Sequence, residues 1–260
     1  MKVLCIGDIV GDKGVDKAIA FINNYNQSDF IIANIENSNN KGGRGFSEYA
    51  YNNLTLAGVK VFTGGNHSFD NKYTYHLYSN KNLLRPCNFP SEALGKGHVQ
   101  LKLYENKPAI VVINVQLRVF MRELLGCPFR AVDSLLALYK NTDSIVIIDL
   151  HGEATAEKLS FASYFDGKVS AIFGTHTHVQ TADERIMPQG TGYITDVGMV
   201  GALHSSIGIK FEKTVYNFIN QMPILFELEE QGDYVFSAIE FDIDDRTKKC
   251  IQIKRLYNIV

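Results

Sequence analysis

Five short apolar runs in this chain are each followed, within a few residues, by side chains of the types that bind metal ions. Runs of this length predict buried strands, and apolar residues at helical spacing between them, such as Val15, Ala18 and Ile22, predict crossover helices. In such folds the carboxyl ends of the strands meet at one edge, where ligands bind. The chain is therefore predicted to be an α/β protein with a site at that edge. The five runs are residues 3–6, 30–33, 59–63, 145–150 and 169–173.

The side chains after these runs are carboxylates, carboxamides and imidazoles, the mixed oxygen and nitrogen shell that Mn, Fe, Zn and Co ions accept. Taken alone, Asp8 would be interpreted as a helix cap or loop charge, and Asn66 as a turn residue. Two histidines separated by one residue would be interpreted as hydrogen-bonding loop residues. Their recurrence after five such runs favours a metal centre. The candidate residues are Asp8, Glu36, Asn37, Asn66, His67, His151, His176 and His178.

This set suits in-line attack on phosphorus at two metal ions. Ions about 3.5–4 Å apart need a bridging carboxylate, and Glu36 has the best position for that role. The amide oxygen of Asn66 would be a neutral ligand, which preserves Lewis acidity, and a hydroxide held between the ions would be the nucleophile. His67 cannot easily bind the same ion as its neighbour Asn66. It is therefore predicted to protonate the leaving oxygen.

The remaining pattern predicts one domain over residues 1–260. Further helices are expected near residues 48–57, 73–78, 132–139, 156–165 and 213–220, with Ser47 capping the first of them. Residues 99–103 and 109–115 predict a hairpin, residues 193–196 a short strand, and the segment up to Gly201 a glycine-rich turn. Three alternating segments, residues 224–229, 234–243 and 251–256, predict an antiparallel ending.

Composition excludes several classes of protein. Hydrophobic residues at 45% and charged residues at 21% are ordinary globular values, and the net charge of −2 gives no strong nucleic-acid footprint. No stretch is long and apolar enough to span a bilayer, so no membrane association is expected. No hydrophobic signal region precedes the first strand. The four cysteines are scattered and form no metal-binding pair, which is typical of reduced thiols in a cytoplasmic protein.

Five motifs contain the candidate residues: GDIVG at residues 7–11, EN at 36–37, GNHSFD at 65–70, HGE at 151–153 and GTHTHVQTADER at 174–185. On these motifs, and from about Lys2 to Leu256, the chain resembles the calcineurin-like metallophosphoesterases, and within them the bacterial YmdB family of phosphodiesterases. The resemblance implies a four-layer αββα sandwich, a binuclear centre of divalent or trivalent transition metals such as Fe or Mn, and activity on small cyclic nucleotides. It also implies a homo-oligomer.

The resemblance also assigns roles residue by residue. Asp8, Asn37 and His178 would bind the first ion, Asn66, His151 and His176 the second, Glu36 would bridge both, and His67 would be the acid. The broader superfamily has a histidine where this chain has Val10. The YmdB family shares that loss and uses Asn37, so an oxygen replaces a nitrogen in the first site. Leu117 stands where the family has glycine, next to the expected substrate loop.

Several alternatives stay open at the level of sequence. Lys41 and Arg44 are interpreted equally well as a phosphate-binding pair and as a charged surface loop. Asp149, Glu153 and Asp196 are candidates for orienting the metal-binding imidazoles. The function itself has two rivals. One is a phosphomonoesterase or nucleotidase built on the same core, and the other is a nucleotide-binding regulatory protein with little turnover.

Overall fold

The chain is described by a computed structural model that covers residues 1–25 and 27–260. Its five α-helices are α1 (Gly11–Asn24), α2 (Glu48–Leu56), α3 (Pro128–Tyr139), α4 (Thr155–Phe165) and α5 (Phe211–Asn220), and a 3₁₀-helix spans Lys72–Ser79. The strands are β1 (Lys2–Ile6), β2 (Asp8–Ile9), β3 (Phe30–Asn34), β4 (Val61–Thr63), β5 (His98–Leu101), β6 (Ala109–Gln116), β7 (Ser144–His151), β8 (Ala171–Thr175), β9 (Arg185–Ile186), β10 (Gly192–Ile194), β11 (Met199–Ala202), β12 (Tyr234–Ile243) and β13 (Cys250–Ile259).

The strands form two mixed sheets. The first has seven strands in the order β2-β11-β12-β1-β3-β4, with β13 also paired to β12. The second has six strands in the order β5-β6-β7-β8-β10-β9. In each sheet the strands that carry the predicted site are parallel, β1 with β3 and β4, and β7 with β6 and β8. Parallel strands joined by helices are buried on both faces, which explains why these runs are continuously apolar.

The layers follow from where the apolar side chains point. Between the sheets, residues such as Cys5 and Ile32 of the first sheet pack against Ile147 and Phe173 of the second. The outer face of the first sheet packs against α1 and α2. The outer face of the second sheet packs against α3 and α4 through residues such as Val132 and Phe161. The architecture is therefore the predicted αββα sandwich.

Three segments differ from the sequence-based predictions. Residues 224–229 form no regular strand, because the segment has no ladder partner beyond an isolated bridge between Leu228 and Ile209. The glycine-rich segment before Gly201 is not a turn throughout, since β11 pairs with β2 and β12 there. The helix near Tyr73 is 3₁₀ rather than α. Ser47 does cap α2, because its hydroxyl accepts the N–H of Ala50 at 3.3 Å.

The two sheets face each other with the carboxyl ends of β3, β4, β7 and β8 on a common side. In the register of the second sheet, Gln116, His151 and Thr175 lie side by side at that end. In the first sheet, Asn34 pairs with Thr63 at the corresponding level. Across residues 1–25 and 27–260, no helix has the length and hydrophobicity needed to cross a membrane.

Candidate metal centre

Nε2 of His151 lies at the centre of a group of acceptor atoms. His151 is the last residue of β7 and is fully buried. The atoms around its Nε2 are Oδ1 of Asn66 at 2.8 Å, Oε1 of Glu36 at 3.0 Å and Nδ1 of His176 at 3.1 Å. One N–H can donate to only one of these three acceptors. A metal ion, in contrast, accepts lone pairs from all of them and from Nε2 itself.

The hydrogen bonds of Thr175 fix how His151 presents this nitrogen. The hydroxyl of Thr175 donates to Oδ1 of Asp149 at 2.7 Å, so it is an acceptor for the Nδ1–H of His151 at 3.0 Å. In neutral His151 the proton is then on Nδ1, and the lone pair of Nε2 points at the cluster. Asp149 therefore orients the imidazole through Thr175, which is the kind of support that metal-binding histidines have.

The two histidines after β8 are held in the same way. Nε2 of His176 lies 3.2 Å from Oε2 of Glu153, which leaves Nδ1 facing His151. Nδ1 of His178 lies 3.0 Å from the carbonyl oxygen of Ile207 and must donate to it, which leaves Nε2 as a lone-pair donor. In each case the outer hydrogen bond selects the tautomer that suits a ligand.

Two buried oxygen atoms at the site have no hydrogen-bond partner among the described residues. One is Oδ1 of Asp8, whose Oδ2 accepts the backbone N–H of His176 at 3.0 Å. The other is Oδ1 of Asn37, whose Nδ2 donates to the carbonyl of Gly43 at 2.8 Å. Unpaired buried acceptors cost free energy unless something binds them. Both atoms are oxygens, the ligand type expected in the first site, so the residues present fit metal ions.

The charges of the cluster are strongly coupled. Burial lowers the pKa of His151, but the carboxylate of Glu36 outweighs this effect and raises it to about 9. Burial raises the pKa of Glu36, and the charge of His151 then lowers it to about 2. The pKa of Asp8 is raised well above its ordinary value, mainly by burial. In the metal-free protein the positive charge of protonated His151 thus neutralises the negative charge of Glu36, in the position where a metal cation would do so.

The turn that carries His176 and His178 has an unusual backbone. Both residues have positive φ, 104° and 64° respectively, a conformation that non-glycine residues rarely adopt. Lys158 holds the turn from α4, since its ammonium donates to the carbonyl of Thr175 at 2.9 Å and to Asp196 at 2.8 Å. Asp196 in turn accepts the N–H of Thr177 at 3.0 Å. Burial raises the pKa of Asp196, but Lys158 lowers it below the ordinary value.

Buried polar side chains join the two sheets beneath the site. The carboxylate of Asp149 accepts hydrogen bonds from Thr63 and Asn34 of the first sheet. Asn114 of β6 binds both the N–H of Gly64 at 3.0 Å and its carbonyl at 2.9 Å. These bonds fix the segment after β4 against the second sheet. At Gly65 the ring of His151 occupies the space that a Cβ would need, so the two can meet only because this residue is glycine.

His67 lies beside the cluster and is held by other groups. Its backbone N–H donates to Oε2 of Glu36 at 3.0 Å, and its Nδ1 lies 2.8 Å from Oδ2 of Asp70. The remaining ring nitrogen, Nε2, is the one available to a ligand. In the described part of the chain the ring of His67 forms no hydrogen bond with the acceptor atoms around His151, and its one ring partner is Asp70.

A cleft of about 360 Å³ opens in front of these residues. Glu36, Asn37, His67, His176 and His178 are among its polar lining residues. Ile207, Phe226 and Leu228 form an apolar wall of the same cleft, so the segment wrongly predicted as a strand forms part of the site. Arg44 lines the cleft as well, whereas Lys41 does not. Of the two residues that the sequence offered as a phosphate-binding pair, only Arg44 therefore lies at this cleft.

Leu117, in the position of the family's glycine, is fully buried and packs in the core of the second sheet beside α4. Three supporting residues were given no role at the level of sequence: Lys158, Thr175 and Asp70. Lys158 had a detectable signal, because residues 158, 161, 162 and 165 have the spacing of one buried helix face and Lys158 is the charged member of it. Of the three acids proposed to orient imidazoles, Asp149 contacts His151 through Thr175 and Glu153 contacts His176 directly, whereas Asp196 pairs with Lys158 and accepts backbone N–H groups.

Comparisons with known proteins find a family model and relatives that match almost the whole chain. A family model described as YmdB-like protein matches residues 4–256. A 2′,3′-cyclic-nucleotide 2′-phosphodiesterase from Bacillus subtilis (strain 168) is 40% identical over 260 residues, which cover 98% of this chain and 96% of the relative. The crystal structure of a hypothetical protein from Thermus thermophilus has a TM-score of 0.92 at 36% identity and covers 100% of this chain and 99% of that one. A structure described as a novel phosphatase of Mycoplasma pneumoniae has a TM-score of 0.91 at 33% identity and covers 100% of this chain and 93% of that one.

Proposed function

Because this chain belongs to the YmdB-like family, we propose that it is a metal-dependent phosphodiesterase that hydrolyses small cyclic nucleotides. The preferred substrates are 2′,3′-cyclic nucleoside monophosphates, the class named for the Bacillus subtilis relative, and 3′,5′-cyclic nucleotides are the second candidates. The observation that carries the proposal is the convergence of Glu36, Asn66 and His176 on Nε2 of His151.

The proposed cofactors are two transition-metal ions, Fe or Mn. Asp8, Asn37 and His178 would hold one ion, and Asn66, His151 and His176 the other, with Glu36 between them. The unpaired oxygens of Asp8 and Asn37 support the first group, and the short distances around His151 support the second. When bound, the ions supply Lewis acidity and a strong nucleophile at neutral pH.

The chain itself contributes positioning and a proton. In the protonated ring of His67, Nδ1–H donates to Asp70 and Nε2–H is the donor that meets the leaving oxygen. During hydrolysis a water molecule releases one proton to solvent and its oxygen bonds to phosphorus, the bond between phosphorus and the 2′ oxygen breaks, and that oxygen takes the proton from Nε2, which solvent then restores. The product is a 3′-phosphate. Arg44 offers a guanidinium to the phosphoryl oxygens, and the apolar wall with Phe226 offers a surface for the base.

A substrate panel tests the proposal. Purified protein, loaded with Mn or with Fe, is assayed on 2′,3′- and 3′,5′-cyclic nucleotides, linear dinucleotides and nucleoside monophosphates. The expected result is fastest turnover of the 2′,3′-cyclic compounds with 3′-monophosphates as products. Faster release of phosphate from monophosphates would identify a nucleotidase. Protein with full metal content and no turnover of any of these would identify a regulatory module.

A further inference from the structure

Two further depressions adjoin the cleft described above, and the first of them is lined in part by residues of the candidate centre. One, of about 230 Å³, is lined by His67 and His176 together with Phe120 and Arg122 and is called here the arginine pocket. The next, about 700 Å³ and shallower, is lined by Lys41, Phe69, Lys72 and Tyr73 and is called the tyrosine trough. Arg44 lies on the wall of all three depressions. They therefore adjoin one another at Arg44, and the arginine pocket and the tyrosine trough together are called the path.

This path has an excess of positive charge. Lys41, Arg44, Lys72 and Arg122 are exposed, and none has a carboxylate within 4.0 Å in the portion of the chain that is described. The two acidic residues on the path are already engaged, Asp70 with His67 at 2.8 Å and Glu123 with the amide of Gln116 at 2.9 Å. The protein as a whole has a net charge of −2, so the patch does not follow from composition. Unpaired cations along a groove are the electrostatic signature of phosphate backbones.

Two aromatic side chains stand exposed along the same path. Tyr73 is 75% exposed, with the ammonium of Lys72 5.5 Å from its ring centroid. Phe120 is 86% exposed and has a φ of 63°, an uncommon conformation for a bulky residue. Exposed aromatic rings between cations are the arrangement on which bases of single strands stack. A strained residue with its ring in solvent is also typical of binding sites.

We propose that the arginine pocket and the tyrosine trough bind a short single-stranded RNA whose terminal 2′,3′-cyclic phosphate lies at the metal centre. The proposal rests on the proposed function and extends its substrates from mononucleotides to RNA ends. A 2′,3′-cyclic phosphate at a chain terminus forms when a 2′-hydroxyl attacks the adjacent phosphodiester, so reactions that cleave RNA in this way supply the substrate. The terminal nucleotide occupies the cleft, and the preceding nucleotides lie over Arg122 and Tyr73. Hydrolysis adds water, breaks the bond from phosphorus to the 2′ oxygen, and leaves a 3′-phosphate on the RNA.

The first measurement compares kcat/KM of the metal-loaded enzyme for a cyclic mononucleotide and for a tetranucleotide with a 2′,3′-cyclic end. The tetranucleotide is expected to have a kcat/KM about tenfold higher or more, because each stacked base strengthens binding. Its salt dependence is also expected to be steeper. Two additional phosphate contacts predict that kcat/KM for the tetranucleotide falls about sevenfold more than that for the mononucleotide between about 50 and 200 mM salt. This figure follows from a slope of about −0.7 per contact in the logarithm of binding strength against the logarithm of salt concentration for single strands. Equal kcat/KM and equal salt dependence would overturn the proposal while leaving the proposed function intact.

A pair of double variants locates the effect. Lys72→Ala/Tyr73→Ala is expected to lower the tetranucleotide-to-mononucleotide ratio of kcat/KM about tenfold. The matched control is Tyr104→Ala/Lys107→Ala, which removes another lysine over a tyrosine ring, at 5.3 Å, in the turn before β6 and thus at the opposite edge of the sheet. This control is expected to keep the ratio of the unmodified enzyme. An equal fall in both double variants, or in neither, would overturn the proposal.

Binding is measured separately so that failure of the proposed function can be recognised. A fluorescein-labelled tetranucleotide with a 3′-phosphate is titrated with the metal-loaded protein, and anisotropy is recorded. Binding that weakens about tenfold in Lys72→Ala/Tyr73→Ala supports the RNA site even if neither cyclic substrate is hydrolysed, an outcome that would overturn only the proposed function. Displacement of the RNA by an acidic peptide of equal charge at the same concentration would instead identify a general anion patch and overturn the RNA proposal.

Discussion

At the scale of single residues, Asn37 is distinguished by an amide oxygen that is buried and unpaired while its amide nitrogen is engaged with Gly43. Asn37→Ala is expected to remove one ion selectively, because Val10 offers no alternative ligand in the same site. Metal analysis of the purified variant should fall from two ions to one per chain. Asn39→Ala is the matched control, since Asn39 also donates to a carbonyl of this loop, that of Arg44, at 2.9 Å. Equal filling of both sites in Asn37→Ala would show that this residue only shapes the turn.

His67 allows a test that separates acid catalysis from phosphate binding. A proton donated in the transition state is worth a rate factor of about 10²–10⁴ and matters most for a basic leaving group. His67→Ala is therefore expected to keep both ions, to lose most turnover of a cyclic nucleotide and to retain far more turnover of bis(p-nitrophenyl) phosphate, whose nitrophenolate leaves without help. The comparison of the two substrates is made on one metal-loaded preparation.

Two other results for His67→Ala would contradict the assignment. Equal losses on both substrates would mean that His67 binds the phosphate, and loss of an ion would make it a ligand. Asp70→Asn is the accompanying variant, because it keeps the imidazole but replaces the carboxylate oxygen 2.8 Å from Nδ1. It is expected to reproduce the same preference for the nitrophenyl ester in weaker form.

The candidate residues of the centre could be named from the sequence because each lies at or just after the end of a strand, where the local pattern is strong. Their supporting partners could not be named in the same way. Thr175 acts on His151 from the neighbouring strand, and Asn114 acts on Gly64 from the other sheet. Such contacts depend on which strands become neighbours, and local periodicity carries no information about that.

At the scale of elements, the turn after β8 depends on a buried ion pair. Removing one partner of such a pair leaves an uncompensated charge and typically costs about 3–5 kcal/mol. Lys158→Met is expected to lower the free energy of unfolding of the metal-free protein by about that amount, and Lys158→Met/Asp196→Asn is expected to restore much of it. Lys168→Met is the surface control, since its pair with Asp133 is exposed and contributes less than about 1 kcal/mol.

Denaturant unfolding of the metal-free variants measures these differences. If the double variant were as unstable as Lys158→Met alone, packing rather than charge would explain the loss. Metal titration adds a second readout, because the turn carries two candidate ligands at positive φ. In Lys158→Met/Asp196→Asn the fold should be kept while metal affinity falls, since the carbonyl of Thr175 and the N–H of Thr177 lose their charged partners.

The elements that were predicted correctly are those with a clear period and a partner. The hairpin of β5 and β6 and the antiparallel ending of β12 and β13 belong to this group. Residues 224–229 alternate in the same way, but within the described part of the chain they pair only through the isolated bridge of Leu228 with Ile209, and the side chains of Phe226 and Leu228 line the cleft instead. Periodicity reports which side chains face an apolar surface. It does not report whether that surface is a sheet core or a binding site.

At the scale of the whole molecule, the alternation of buried runs and amphipathic segments predicted an α/β protein, and the family resemblance implied the αββα layering. The order of strands was not. β1 pairs with β12, from near the opposite end of the chain, and β12 separates β1 from β11. Which strands pair across such long stretches of sequence depends on all the apolar faces that the fold must bury. The pairing therefore cannot be predicted from any one segment and is known only from the folded structure.

Metal ions are expected to stabilise the whole fold, and the effect should grow with pH. Binding to the native state alone contributes about 2.7 kcal/mol at a free metal concentration of 100 times Kd. For a chain of this size that corresponds to roughly 5–10 °C in Tm, from about 2–4 °C per kcal/mol. In the metal-free protein, the protonated ring of His151 pairs with the carboxylate of Glu36 and so replaces part of the stabilisation that a metal ion would give, because the pKa of His151 is raised to about 9.

The pKa of His151 sets the direction of that pH dependence. A raised pKa in the folded state stabilises the metal-free protein fully below the ordinary value of about 6.5, and this contribution is lost as the pH rises through about 9. The raised pKa of Asp8 acts in the same direction, since its ionisation in a buried site costs stability. The difference in Tm between Mn-loaded and chelator-treated protein should therefore widen between about pH 6.5 and 9. A difference that stayed constant over this range would mean that metal binding displaces no proton from His151, and Nε2 would then not be a ligand atom.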